Sequence, residues 1–136
     1  THKDRLGIFS FYVKDVHFNL IVKLLNDRFG IQTRGGCSCA GTYGHFLLNV
    51  DQQTSKAIGK QIIEGCSVEK PGWVRLSIHP SITDAEVDFI CVGLKAVCEN
   101  VKEWKQAYDY DAVNNDYKHK TFNSIEKELV KKWFAN

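Results

Sequence analysis

The feature that most constrains this chain is a glycine-rich segment, residues 34–45, which reads Arg-Gly-Gly-Cys-Ser-Cys-Ala-Gly-Thr-Tyr-Gly-His. Four glycines in these twelve residues let the backbone adopt positive φ angles and approach other groups closely, which binding sites need and packed cores rarely use. Two cysteines, an arginine and a histidine lie on the same segment. We therefore expect residues 34–45 to form a functional loop that is shaped by Gly35, Gly36 and Gly41.

The length and composition of the chain predict one globular domain, residues 1–136. The chain has 136 residues, of which 43% are hydrophobic and 25% are charged, and this is enough to bury a core. The 18 basic residues nearly balance the 16 acidic ones, so we expect no nucleic-acid or membrane partner. No apolar run reaches the roughly 18 residues that span a bilayer, and the first residues lack a signal-peptide pattern. We expect a cytoplasmic protein.

The five cysteines are an odd number, and a reducing compartment keeps such residues as thiols. Cys66 follows a predicted helix, and Cys91 and Cys98 fall on an apolar helical stripe, so we expect these three thiols to be buried in the core. The chain contains no methionine, which suggests that it is part of a longer protein.

Three segments carry strand signals. Aromatic and β-branched residues alternate over residues 5–13, which is typical of a half-buried strand. Residues 30–34 are short and partly β-branched, and they are expected to form a strand that ends in the glycine-rich segment. Residues 73–78 follow the turn signal Pro71-Gly72 and are predicted to form the third strand.

Four segments carry helix signals. Residues 17–29 have apolar positions at helical spacing and end at Gly30. Residues 54–65 are predicted to form a second helix, and a capping box at residues 83–86 opens a long third helix. Asn123 can cap a last helix.

The order of these elements predicts an α+β fold: a small, mostly antiparallel sheet of about three strands with helices packed on one face, in a split βαβ arrangement. Residues 108–120 show no period, so we expect an irregular surface connection there. Four residues assigned to the other face, Leu6, Ile8, Tyr12 and Trp73, are too apolar to face water. We therefore expect a missing domain or a partner subunit to cover that face.

Two motifs together resemble a known family. The first is the glycine-rich segment, and the second is Lys-Pro-Gly-Trp-Val-Arg-Leu-Ser at residues 70–77, followed by the capped helix. In this order and spacing they resemble the C-terminal small domain of class V aminotransferase-like enzymes. These are pyridoxal-phosphate proteins of fold type I, and they include cysteine desulfurases and selenocysteine lyases. The resemblance covers residues 5–104.

The resemblance implies roles for individual residues. The desulfurase branch has the pattern Arg-x-Gly-x-x-Cys-Ala, and Arg34, Gly36, Cys39 and Ala40 match it. The resemblance therefore implies that Cys39 is the catalytic nucleophile and that Arg75 and Arg34 bind the substrate, Arg75 at its carboxylate. The residue types suit this chemistry, since positive charge lowers the pKa of a thiol and the arginine fork binds both oxygens of a carboxylate.

The resemblance also implies groups that this chain does not supply. Pyridoxal phosphate would form a Schiff base with a lysine of a large N-terminal domain, and no lysine in this sequence occupies that motif. The full-length enzyme would be a homodimer that acts on an amino acid, and the fragment alone would be inactive.

Two alternatives stay open. Cys37 and Ser38 stand where the desulfurase branch often has histidine. The first alternative is therefore a class V aminotransferase without a catalytic cysteine. A second alternative is a metal-binding or interaction module, in which Cys37, Cys39 and His45 are ligands. Their spacing, Cys-x-Cys-x5-His, provides three of the four ligands that structural zinc sites usually have, so we do not assign a metal.

If the cofactor lysine lies outside this chain, the chain mixed with pyridoxal phosphate should develop no specific Schiff-base absorbance. An absorbance titration, followed by borohydride reduction and peptide mapping, measures adduct formation. Nα-acetyl-lysine, whose ε-amine is free, is the control at matched amine concentration. A saturable, reducible adduct at one lysine would contradict the expectation.

Overall fold

A three-stranded antiparallel sheet organises the structure, a computed structural model that describes residues 5–37, 41–65, 71–121 and 130–135. Its strands are β1 (Ile8–Phe11), β2 (Arg34–Gly36) and β3 (Trp73–Ser77), in the order β1-β3-β2. Because β1 and β2 each pair antiparallel with β3, they run parallel to one another with β3 between them. This is the predicted split βαβ arrangement, and it confirms the α+β class.

The helices are listed here with their bounds: α1 (Phe18–Phe29), α2 (Gly41–Leu47), α3 (Gln52–Ile63) and α4 (Asp84–Trp104). Among the described helices, none is both long and apolar enough to cross a bilayer.

The predicted caps are present at both long helices. Helix α1 ends at Gly30, whose φ of 66° is left-handed and is easily adopted by glycine. At its other end, His17 caps the first turn, because the His17 side chain accepts a hydrogen bond from the Asn19 backbone N–H. At α4, Thr83 and Glu86 form the reciprocal capping box. Local sequence signals therefore decide where these two helices begin or end.

The core lies between the sheet and the two long helices. Alternate residues of β3 are buried, so one face of that strand points into the core, and α1 packs on this face. Helix α4 packs against α1. The fully or nearly fully buried side chains of this core are Leu20, Ile21, Leu24, Leu25, Val74, Leu76 and Val97.

Helix α2 and the start of β2 differ from the prediction. Residues 41–47 form helix α2, which the sequence did not predict. Two of its seven residues are glycine, and glycine is a poor helix former. Residues 31–33 are not part of a strand, since the chain is still leaving α1 there and the Ile31 N–H bonds the Leu25 carbonyl. Strand pairing starts only at Arg34.

The prediction of an irregular connection over residues 108–120 is wrong. Strands β4 (Tyr108–Asp111) and β5 (Asp116–His119) form a two-stranded hairpin, and the side chains of Tyr108 and Tyr117 are buried. The sequence Tyr-Asp-Tyr-Asp in β4 alternates apolar and polar residues as a strand does. Aspartate is also a common turn residue, so this short alternation is hard to recognise as a strand. The predicted cap at Asn123 lies outside the described residues.

Strand β2 lies so close to α1 that position 35 has no room for a side chain. A β-carbon at Gly35 would lie 2.6 Å from Cδ2 of Phe18 and 2.7 Å from Oδ1 of Asn19. By contrast, a β-carbon at Gly59 in α3 would meet no atom within 4 Å. Gly35 is therefore needed for close packing between β2 and α1, whereas position 59 has space for a side chain.

We predict that Gly35→Ala lowers the free energy of unfolding by about 1–3 kcal/mol, because the new methyl group overpacks the contact with Phe18. Gly59→Ala, the matched control, should raise it by about 0.5–1 kcal/mol, since alanine favours a helix interior. Urea unfolding followed by circular dichroism measures both values. An unchanged stability of Gly35→Ala would show that β2 can move away from α1 without cost.

Candidate functional site

Two arginines lie side by side on the face of the sheet that points away from α1, which we call the outer face. Arg34 in β2 is directly opposite Arg75 in β3, and Ser10 in β1 is opposite Arg75 on its other side. Because Val74 and Leu76 point into the core, Arg75 points to the outer face. Ser10, Arg75 and Arg34 therefore form a polar row across all three strands, which we call the arginine row.

The arginine row carries positive charge, and the described residues supply no counterion for it. Arg34 is exposed and Arg75 is half-buried, and the Nε atom of Arg75 is buried without a hydrogen-bond partner. Among the described residues, neither arginine forms an ion pair. A buried donor without a partner is costly, so the row is suited to bind an anion.

The predicted loop is shorter than the sequence suggested. Gly35 and Gly36 pair with β3 and belong to β2, and Gly41 is the first residue of α2. These three glycines are therefore not loop residues, because they belong to a strand or a helix. Of the connection between β2 and α2, the structure describes Cys37, which is half-buried with a free thiol. Cys39, the predicted nucleophile, lies outside the described residues, as does Ala40.

Helix α2 packs beside the arginine row. Position 44 contacts the Trp73 ring so closely that a β-carbon there would lie 3.2 Å from Cζ3 of Trp73 and 3.4 Å from the β-carbon of Cys37. Trp73 shares the outer face with Arg75, two residues along β3. Gly44 of α2, the β-carbon of Cys37 and the Trp73 ring therefore meet beside the row.

His45 has a structural contact. Its Nδ1 atom lies 2.9 Å from Oγ of Ser55, and this hydrogen bond ties α2 to α3. Within the described ranges, no group of three metal-ligating side chains occurs. The alternative ligand set of Cys37, Cys39 and His45 is not tested by this, because Cys39 is not described.

Two side chains at the contact between α1 and the hairpin have shifted pKa values. Burial, the charge of Asp27 and a hydrogen bond to Asp27 raise the pKa of Tyr108 to about 12. Burial lowers the pKa of His17, whose ring stacks on Phe18 at a centroid distance of 4.3 Å. These groups support the fold, and the arginine row remains the best candidate site.

The prediction that Cys91 and Cys98 are core thiols is wrong, since both are exposed on α4. The buried positions of α4 include Gly93 and Val97, so the helix is rotated relative to the predicted stripe. The reason is a close contact at Gly93, where a β-carbon would lie 2.8 Å from Cδ1 of Ile31. A hydrophobicity pattern does not register such a contact. Cys66 lies outside the described residues.

Fold and site together define an α+β domain with two adjacent arginines on the outer face of its sheet. The family model described as aminotransferase class-V matches residues 1–90, which include β1, β2, β3 and the arginine row. The chain therefore belongs to the class V aminotransferase family, whose members depend in general on pyridoxal phosphate. Comparison with curated proteins and with solved structures gave no match.

Pyridoxal phosphate needs a lysine for its Schiff base, and two lysines of the described residues line cavities. Two cavities, of about 270 Å³ and 340 Å³, are each lined by one lysine, Lys23 and Lys14 respectively. The Nζ atom of Lys23 lies 3.8 Å from a carboxylate oxygen of Asp27, and Lys14 is exposed. Neither arginine of the row lines these cavities. These two lysines and the arginine row therefore do not share a cavity.

We predict that the double variant Cys91→Ser/Cys98→Ser keeps the free energy of unfolding within about 0.5 kcal/mol of the parent, because both side chains are exposed. In the parent, both thiols should react with iodoacetamide while the protein is folded. Val97→Ala is the control on the same helix, and it should cost about 1–3 kcal/mol because Val97 is buried. Protection of either thiol in the folded state would contradict the assigned rotation of α4.

Proposed function

We propose that the chain is the small domain of a pyridoxal-phosphate-dependent enzyme that acts on an amino acid, in a reaction of the cysteine desulfurase or selenocysteine lyase type. One observation carries the proposal: among the described residues Arg75 has no ion-pair partner, and it lies on the outer face of the sheet beside β2, the strand that leads to Cys37. Membership of the class V aminotransferase family supports the cofactor class.

Arg75 is the proposed carboxylate-binding residue. Its guanidinium is planar and permanently charged, and it binds both oxygens of a carboxylate in parallel hydrogen bonds. The central strand of the sheet holds its backbone, with a neighbour on each side, so the position of the group is well defined. Binding the α-carboxylate there would orient the rest of the amino acid.

Cys39 is the proposed nucleophile. Its thiolate would attack the sulfur or selenium atom of the substrate, so that a bond forms to that atom while its bond to carbon breaks. The electron pair of the broken bond stays with the carbon skeleton, which is then protonated. Arg34, five residues earlier in the chain, adds positive charge that favours the thiolate. The cofactor supplies the electron sink for this chemistry when it is bound.

The remaining parts of the proposed enzyme are a large N-terminal domain, which would carry the cofactor lysine, and a second subunit. Exposed apolar side chains at the start of the chain support such partners. Leu6 is 78% exposed and Tyr12 is 65% exposed, and apolar groups at this level of exposure are suited to burial in an interface. The chain alone is expected to be inactive, and a cytoplasmic location stays a prediction.

In the full-length enzyme, we predict that Cys39→Ser lowers sulfur or selenium release by about 10³-fold or more, because it removes the nucleophile. The absorbance of the bound cofactor should be unchanged. Cys37→Ser is the matched control, since it removes a thiol from the same segment and should keep most of the activity.

Arg75→Lys in the same enzyme tests the carboxylate site. We expect KM to rise about 10- to 100-fold, which corresponds to the loss of one hydrogen bond between charged groups. Full activity of Cys39→Ser combined with a raised KM of Arg75→Lys would favour an aminotransferase without a catalytic cysteine. An unchanged KM of Arg75→Lys would contradict the proposed carboxylate site.

A further inference from the structure

We propose that the cavity of about 270 Å³ beside α1 is a second binding site, and that its ligand is a small oxyanion such as a phosphate or carboxylate group. We call it the α1 cavity. It is lined by Val22, Lys23 and Asn26 from α1, and by Gln32 and Thr33 from the segment that leads into β2. The inference goes beyond the proposed function and does not depend on it, because neither Arg34 nor Arg75 lines this cavity.

The size of the α1 cavity suits a small ion. Its volume of about 270 Å³ lies below the range of about 300–1,000 Å³ in which drug-sized ligands bind. It far exceeds the roughly 30 Å³ that one water molecule takes in the liquid. The cavity therefore has room for a small ion together with a few water molecules.

The hydroxyl group of Thr33 is the observation that points to a ligand. Its Oγ1 atom is buried and has no hydrogen-bond partner among the described residues. A buried polar atom without a partner costs free energy, and native structures rarely keep one without a reason. A ligand that accepts a hydrogen bond from this hydroxyl would remove the cost.

The charge of the lining favours an anion. Of the five described residues that line the α1 cavity, Lys23 alone is charged. Its Nζ atom lies 3.8 Å from a carboxylate oxygen of Asp27, which is longer than the roughly 2.7–2.9 Å of a hydrogen bond between charged groups. The ammonium group of Lys23 therefore keeps its donors for a ligand.

Asp27 does not turn the α1 cavity into a cation site. It is not among the lining residues, and both of its oxygens already accept hydrogen bonds. The Asn26 side chain donates to Oδ1 at 3.0 Å, and the Tyr108 hydroxyl donates to Oδ2 at 3.1 Å. The amide groups of Asn26 and Gln32 provide further N–H donors at the cavity, so its donors suit the oxygen atoms of an anion.

The test is an NMR titration of this chain at low ionic strength with inorganic phosphate, acetate and acetamide. Acetate and acetamide have nearly the same size and differ in charge. We expect phosphate and acetate to shift the backbone amide signals of residues 22–26 and the side-chain amide signals of Asn26 and Gln32 in a saturable way. Acetamide should bind at least about tenfold more weakly than acetate, because it has no charge for Lys23 to bind.

Two variants test the individual donors. Lys23→Ala should weaken phosphate binding at least about tenfold, because it removes a hydrogen bond between charged groups. Thr33→Val keeps the shape of the side chain and should weaken binding about five- to tenfold. The same variant should not lower the melting temperature of the free protein, since it removes a buried hydroxyl that has no partner.

Lys14→Ala is the matched control for net charge. Lys14 lines the other cavity, of about 340 Å³, so its removal should leave phosphate binding unchanged. The double variant Arg34→Ala/Arg75→Ala separates the α1 cavity from the arginine row, and the shifts of residues 22–26 should persist in it. Circular dichroism melting verifies that each variant is folded.

Four outcomes would overturn the proposal. Titrations without saturable shifts at residues 22–26 would show that the α1 cavity binds no oxyanion. Equal affinity for acetate and acetamide would show that it takes a neutral ligand, and equal weakening by Lys14→Ala and Lys23→Ala would show that only net charge matters. Loss of the shifts in Arg34→Ala/Arg75→Ala would assign the binding to the arginine row, and the proposed function would stand.

Discussion

The contact between Phe18 and the glycines around it is the interaction on which the rest of the structure depends. A β-carbon at position 35 or at position 72 would lie 2.6 Å from ring atoms of Phe18. Helix α1, the edge strand β2 and the start of β3 therefore meet at one aromatic ring, with no side chain between them. Because β2 pairs over only three residues, this packing has to supply much of its stability.

The same contact decides the geometry of the site. When β2 is held against Phe18, Gly35 faces α1 and its neighbour Arg34 faces the other way, opposite Arg75. The two guanidinium charges then lie on the outer face, where the described residues supply no counterion. Packing on one side of the sheet thus places two adjacent arginines on the other side.

The hairpin supports α1 from beyond the part of the chain that the family model matches. The Asn19 side chain donates a hydrogen bond to the Asn115 carbonyl, and the Tyr110 hydroxyl bonds the side chain of Asn115. The His17 ring lies between Phe18 and the tyrosines of the hairpin. Residues far along the chain therefore hold the helix turn that carries Phe18.

Features with a local cause could be predicted from the sequence. Gly30 ends α1 and Thr83 opens α4, because a cap acts on backbone groups a few residues away. Strands β1 and β3 were recognised because their alternation or apolar content is visible within a few residues. Helix α2 was missed because its glycines are poor helix formers, and the hairpin because its aspartates resemble turn residues.

The residues of the candidate site could be predicted from the sequence, but their arrangement in space could not. Arg34 and Arg75 were recognised from two separate motifs and are 41 positions apart in the chain. A motif does not show how two strands are aligned in a sheet. The exposure of Cys91 and Cys98 was missed because the close contact between Gly93 and Ile31 sets the rotation of α4.

The sequence by itself determined the caps, the class of fold and the residue types available for chemistry, because these depend on neighbours along the chain. Only the tertiary structure decided that Arg34 stands opposite Arg75, and which face of α4 is buried. Both depend on how closely distant backbones approach, at Gly35 against Phe18 and at Gly93 against Ile31. Such approaches are a property of packing in three dimensions, and no local pattern records them.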